Sequence, residues 1–379
     1  MKIILTGGGT GGHFYPLIAV AEELQNVSAE KNILPPELFF LAPAPYNEAI
    51  LAEHKINFIK IPAGKIRRYA TIQNITDAFV TLKGFLKALW VVFRIYPDVV
   101  FAKGGFGSFP TLLAARILFI PIMIHDSDSK PGIVNAWAGK FADRVALSYP
   151  DAVNYFKKAD TKGRVAWTGN PIRKEITEPI KEGSFETFGL EKNIPVILIL
   201  GGSQGAQVIN DAILDTLPYL LEEYQVIHQA GPKNFDAVKG QSEVTLERNP
   251  NKGRYKPFAY LTEDMMRRAA GVTSLVVSRA GSTIFEIAAW GLPSIIVPIP
   301  EKTSHDQRTN AYNYKRSGSC SVIEEENLRP EIIFAEVNRI MKHEDVKNAM
   351  IESTKKFARI DAGKTIAEAL IDIGLSHEK

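Results

Sequence analysis

Lys2-Ile3-Ile4-Leu5-Thr6-Gly7-Gly8-Gly9-Thr10-Gly11-Gly12-His13 opens the chain. A short apolar run passes directly into five glycines, and an amphipathic stretch, 17–24, follows. This reads as a strand, a tight loop and a helix start. Glycines at such a turn let a ligand approach the backbone, and a helix N-terminus favours negative charge. Val196-Ile-Leu-Ile-Leu-Gly-Gly-Ser-Gln-Gly-Ala206 repeats the unit. Two copies predict two doubly wound parallel-sheet domains of the α/β class. Further strands are expected at 38–41, 58–61, 99–102, 122–125 and 144–147, then at 225–228, 275–278 and 294–298. Helical patterns such as 209–217 and 283–289 lie between them. That alternation implies sheets covered by helices on both faces.

A length of 379 residues fits two domains. Asn170-Pro171 disfavours helix and marks the expected boundary. The expected parts are an N-terminal domain over 1–170, a C-terminal domain over 171–345, and a terminal helix over 346–379 that crosses back onto the first. A single cysteine, Cys320, excludes a disulfide scaffold and a cysteine zinc site and fits a reducing compartment. The net charge of +3 is too small to suggest nucleic-acid binding. It is unevenly spread: residues 1–170 hold 19 Lys and Arg against 13 Asp and Glu, and the remainder 26 against 29. No secretory signal is visible. The longest apolar stretch, 110–124, is interrupted by Arg116 and Pro121 and falls short of a membrane span. The chain is expected in the cytosol.

Gly7, Gly9 and Gly12 satisfy the dinucleotide spacing G-x-G-x-x-G. That chemistry also needs an acidic residue after the second strand, where this chain reads Ala42-Pro43-Ala44-Pro45. Nicotinamide binding is therefore disfavoured, and a ligand-free turn is the bland alternative. The second loop adds the Ser203 hydroxyl, which suits a diphosphate or caps a simple turn. Ser278-Arg-Ala-Gly-Ser-Thr283 precedes a helix carrying Glu286, a ribose-binding candidate or a capping acid. His13 could take a proton from a sugar hydroxyl, or be structural. Asp126-Ser127-Asp128 has the spacing of metal-dependent nucleotide-sugar transferases, and equally of an Asp-rich turn. Residues 55–103 hold nine basic and two acidic residues. Within them Ile72, Ile75, Phe79, Leu82, Phe85, Leu86, Leu89 and Trp90 recur at helical spacing, interleaved with Lys83, Lys87 and Arg94. The stretch reads as a helix face for an anionic membrane surface, or as a core helix with solvated lysines.

Taken together, the motifs resemble the MurG family, bacterial transferases that add N-acetylglucosamine to lipid-linked N-acetylmuramoyl-pentapeptide. The carrying residues are Gly7-Gly-Gly-Thr-Gly-Gly-His-Phe-Tyr-Pro16, Lys103-Gly-Gly-Phe-Gly-Ser-Phe-Pro110, Gly169-Asn-Pro-Ile-Arg173, Gly201-Gly-Ser-Gln-Gly-Ala206, Ser278-Arg-Ala-Gly-Ser-Thr-Ile-Phe-Glu-Ile-Ala-Ala289 and Gln307-Arg-Thr-Asn-Ala311. They occur in family order over nearly the whole chain. The resemblance implies a GT-B fold with the active site in the cleft between two Rossmann-like domains. It implies UDP-N-acetylglucosamine as donor, an undecaprenyl-diphosphate-linked acceptor, inversion at the sugar carbon, and no cofactor or protein-bound metal. It places the enzyme peripherally on the cytoplasmic face of the plasma membrane. Donor contacts are implied for Thr10, Gly11, Gly12, Asp128, Arg173, Ser203, Leu261, Ser282, Thr283, Glu286 and Gln307, with Leu261 meeting uracil through its backbone. Gly104, Gly105 and Phe106 fall on the acceptor side. His13 matches the family's candidate base, and Asp128 is a second candidate. The chain departs from the family in three places. His125-Asp126-Ser127-Asp128 stands where the family reads His-Glu-Gln-Asn, the turn at 281–283 is one residue shorter, and the segment 258–265 is longer. Competing readings are a diacylglycerol glycosyltransferase, a UDP-N-acetylglucosamine epimerase, an NAD-dependent oxidoreductase, a metal-dependent single-domain transferase using Asp126 and Asp128, and a non-catalytic nucleotide-sugar-binding subunit.

Overall fold

The computed structural model describes residues 1–8, 11–64, 73–201, 206–301 and 307–377. Two compact units divide the chain, Met1–Arg173 with Arg359–Lys379, and Lys174–Ala358. The first contains seven parallel strands: β1 (Lys2–Thr6), β2 (Glu37–Ala42), β3 (Asn57–Lys60), β4 (Val99–Ala102), β5 (Ile122–Asp126), β6 (Arg144–Leu147) and β7 (Val165–Trp167). Their order across the sheet is β3-β2-β1-β4-β5-β6-β7. The second contains β8 (Val196–Leu200), β9 (Gln225–Gln229), β10 (Tyr255–Phe258), β11 (Thr273–Ser278), β12 (Ser294–Ile296) and β13 (Cys320–Val322), in the order β10-β9-β8-β11-β12-β13. All ten runs read as strands carry one. The three additional strands, β7, β10 and β13, each close an edge of a sheet.

Side chains of β1 alternate as the pleat requires. Ile3 and Leu5 join the helix Gly11–Glu30 and the C-terminal helix Ala362–His377 on one face. Ile4 joins Ala88, Val91, Val92 and Leu112 on the other. Both faces are buried, so the strand is apolar throughout. The second sheet does the same with β8, every residue of which is buried.

The domain boundaries differ from the expected ones, and local packing explains the shift. Arg173 stacks over the Tyr15 ring at 4.5 Å, so 171–173 stay with the first domain. Trp290 Nε1 donates to the Ile176 carbonyl at 2.7 Å and holds the next residues to the second. The terminal segment is two helices rather than one. Glu344–Phe357 belongs to the second domain, where Met350 enters the core and Phe357 meets Phe285 and Tyr314. Ala362–His377 packs Ile366, Leu370 and Ile371 against the first domain.

The helix Gln73–Ile95 has two apolar faces of different kinds. Gly84, Ala88, Val91 and Val92 are buried, a narrow face of small residues. Phe79, Leu82, Leu86, Trp90 and Phe93 form the opposite stripe, each more than half exposed, with Lys83, Lys87 and Arg94 beside it. Phe85 and Leu89 lie half-buried between the two faces, so Phe85 is not part of the open stripe. Ile72 and the side chain of Ile75 are outside the described residues. Among the described residues no helix is long and apolar enough to cross a membrane.

Candidate active site

In an open parallel sheet, ligands bind beyond the carboxyl ends of the strands, at the point where strand order reverses. In the first sheet that point lies between β1 and β4. The glycine loop after β1 leads into the helix Gly11–Glu30, whose first turn carries His13, and the Lys103–Gly107 turn follows β4. The two loops touch: a Cβ on Gly8 would stand 3.1 Å from the Gly107 Cα. Gly104 and Gly105 take φ of +86° and +79°, a backbone that side chains resist. Phe106, half-buried, follows them in a short 3-10 turn.

His13 is half-buried, and its Nδ1 lies 3.2 Å from the Lys103 carbonyl. A carbonyl only accepts, so Nδ1 carries the hydrogen and Nε2 keeps its lone pair. Burial, aided by the nearby Lys103 charge, lowers the His13 pKa to about 4. The imidazole is therefore neutral at pH 7, with an unprotonated Nε2.

Beneath His13 lies a buried polar cluster that the sequence motifs did not foretell. Lys103 directly follows the wholly apolar strand β4 and is 1% exposed. Its Nζ donates to Asn170 Oδ1 at 2.9 Å, to His125 Nδ1 at 2.5 Å and to Ser127 Oγ. The orientation of His125 is settled by its other nitrogen, whose hydrogen goes to the Gly169 carbonyl at 2.9 Å. Three acceptors surround Nζ, and an ammonium has three hydrogens, so the geometry holds the charged form. Burial opposes it and pulls the Lys103 pKa down, while Asp126 and Asp128 push it back up. Asp126 is 3% exposed. One of its oxygens accepts the Asp128 N–H at 2.9 Å and the other accepts Asn135 Nδ2, also at 2.9 Å. Burial and the neighbouring Asp128 push the Asp126 pKa up, while its bonds from the Asp128 N–H and Asn135 and the Lys103 charge pull it back down. Asp128 itself is half-buried at the end of this turn.

In the second domain the order reverses between β8 and β11. Ser278 ends β11, and Ser282 caps the helix Thr283–Trp290. Thr283 and Glu286 occupy its first turn and are half-buried. Arg279 braces the turn through the carbonyls of Val297 and Pro298 and an ion pair of 2.6 Å with Glu325. Gln307 starts the helix Gln307–Arg316, and its Oε1 accepts the Ile299 N–H at 3.3 Å. Leu261 follows β10 and is buried, with its N–H already taken by Gln229 Oε1 at 2.9 Å. Only its carbonyl is left for a base. Gly11, Gly12 and Arg173 sit in the first domain, Gly11 against Tyr15 and Tyr46. Thr10 and Ser203 lie outside the described residues.

Comparison with known proteins places this arrangement. The N-terminal domain of glycosyltransferase family 28 matches residues 3–147, and its C-terminal domain matches 196–366. Two such parallel-sheet domains in one chain define the class, a family 28 glycosyltransferase with the GT-B fold. The two sheets overturn the single-domain alternative. A Treponema denticola protein named UDP-N-acetylglucosamine–N-acetylmuramyl-(pentapeptide) pyrophosphoryl-undecaprenol N-acetylglucosamine transferase is 34% identical, over 98% of this chain and 96% of its own. A Clostridium botulinum protein of the same name is 32% identical, over 97% and 98%. The chain belongs to the family of these N-acetylglucosamine transferases. The crystal structure of Acinetobacter baumannii MurG superposes with a TM-score of 0.73 at 22% identity, covering 98% of this chain and 99% of that one. A UDP-N-acetylglucosamine 2-epimerase from Neisseria meningitidis reaches 0.70 at 16% identity, over 98% and 100%, and shares the fold alone.

Proposed function

We propose that this chain moves N-acetylglucosamine from UDP-N-acetylglucosamine to the C4 hydroxyl of lipid-linked N-acetylmuramoyl-pentapeptide, a step of peptidoglycan synthesis. The observation that carries the mechanism is His13, neutral, anchored through Nδ1–H and holding its Nε2 lone pair at the switch point of the first sheet. The acceptor oxygen attacks the anomeric carbon as the bond to UDP breaks on the opposite face. The hydroxyl proton passes to His13 Nε2, with the Asp128 carboxylate as the second candidate base. Gly11, Gly12 and Gln307 contact the donor, Ser203 and Arg173 meet the diphosphate, Glu286 holds the ribose, and the Leu261 carbonyl faces the uracil. Ser282 and Thr283 present the positive end of their helix to the leaving charge. Gly104, Gly105 and Phe106 line the acceptor side.

The mechanism needs no resident metal. Both Asp126 oxygens already accept N–H groups, and the Lys103 ammonium supplies the local positive charge. The exposed stripe on Gln73–Ile95 rests on the anionic cytoplasmic surface of the membrane that carries the acceptor. Its large side chains face outward while small ones face the core, the reverse of a helix built only to fill a core. Labelled UDP-N-acetylglucosamine with authentic lipid-linked acceptor tests the reaction. Label entering the lipid phase supports it, and none entering overturns it.

A further inference from the structure

That mechanism gives the Lys103 side chain no contact with either substrate, although a buried cation is costly to keep. Its three bonds join the end of β4 to two other pieces of the first domain. Ser127 belongs to the turn after β5, His125 to β5 itself, and Asn170 to the segment after β7. Its own carbonyl holds His13. One residue thus ties the β1, β4, β5 and β7 ends together at the candidate site.

The charge has a second consequence. Asp126 and Asp128 stand two residues apart on one turn, the former buried and bonded to the backbone of the latter. Two carboxylates so close repel each other and resist burial. A neighbouring ammonium offsets both effects, and Ser127 between them is the side chain that it grips.

We propose that Lys103 is a positioning residue for transfer: its ammonium pins the Asp126-Ser127-Asp128 turn and balances its carboxylates, so that Asp128 and His13 meet the acceptor in one fixed arrangement. The inference rests on the transferase reading. It makes Lys103 act on the acceptor side only, because every group that it touches lies in the first domain.

The test is a cycle of four proteins, the wild type, K103M, D126N and the double variant, assayed with labelled donor and lipid-linked acceptor. Thermal melting checks folding in parallel. K103M is expected to lose about 100-fold in kcat, with the donor KM within about twofold, because removing one member of a buried ion group strands the other. D126N removes the stranded charge, so the double variant should recover about tenfold over K103M. A residue that merely supports the fold would show no such recovery. S127A, which deletes one acceptor and preserves the fold most gently, should lower kcat about tenfold at unchanged donor KM. It decides the matter if K103M does not fold, since wild-type kcat in S127A then overturns the proposal. K103M turning over within threefold of an active wild type overturns this inference alone. So does a loss that D126N deepens. A wild type that moves no label overturns the transferase reading and this inference with it.

Discussion

Replacing His13 with asparagine separates its charge state from its place in the fold. An asparagine amide can still donate to the Lys103 carbonyl but cannot take up a proton. In the folded protein the His13 pKa is about 4, against 6.5 for a free imidazole. A group whose folded pKa is lowered binds protons more readily in the unfolded chain. Its contribution is therefore intact above pH 6.5 and is lost as the pH falls toward 4. Between pH 7 and 4.5 the linkage amounts to about 2 kcal/mol. Wild type should lose about that much more stability than His13→Asn over this interval, with little difference at pH 7. Urea unfolding followed by tryptophan fluorescence reports mainly on the first domain, which holds Trp90, Trp137 and Trp167, with Trp290 reporting on the second. At pH 7 the variant should also lose about 10²–10⁴-fold in kcat. Equal acid loss in both proteins would refute the neutral, half-buried imidazole, and with it the unprotonated Nε2 required of a base.

Other expectations follow from the same geometry. Serine at Phe79, Leu86 and Trp90 together should cut retention on anionic vesicles about 100-fold, taking about 1 kcal/mol for each partly inserted side chain, while the melting temperature holds because all three are exposed. Sedimentation with vesicles measures it, and unchanged retention removes the membrane face. Gly105→Ala places a Cβ at φ +79° and ψ 163°, 3.2 Å from the Gly8 carbonyl. A cost of about 2 kcal/mol should appear as a lower melting temperature, and an unshifted melt contradicts the strained turn. Glu286→Gln should raise the donor KM about tenfold with kcat nearly unchanged, checked by initial rates over a donor series. EDTA should leave turnover unaltered, and loss of transfer restored by a divalent cation would return Asp126 and Asp128 to a metal role.

Central strands were legible in the sequence because they are buried on both faces and so read as unbroken apolar runs. Val99-Val-Phe-Ala102 and Val196-Ile-Leu-Ile-Leu200 are of this kind. The edges were not. Tyr255-Lys-Pro-Phe258 carries a lysine and a proline, which only an edge accommodates, since one side of its ladder needs no donor. Val165-Ala-Trp167 and Cys320-Ser-Val322 are three residues long and partly solvated, too short to show a period. The terminal helices were merged because no sequence rule says which of two cores an amphipathic face will meet.

The site divides along the same physical line. Glycine loops and their order announce themselves locally, since a turn at a strand end demands them wherever the rest of the chain goes. Lys103 could be seen beside its glycines but not understood, because its partners Ser127, His125 and Asn170 are 22 to 67 residues away. One signal was nevertheless present: a lysine directly after a strand with no polar residue. A cation in that position must either reach solvent or find three acceptors, and the turn after β4 runs inward against the first loop. Similar accounting, applied to Gln73–Ile95, supports the membrane-face reading. A helix needs one apolar face to fold onto a sheet, and here glycine, alanine and valine supply it. Phe79, Leu82, Leu86, Trp90 and Phe93 stand on the opposite side, each more than half exposed, an apolar stripe that this packing does not require.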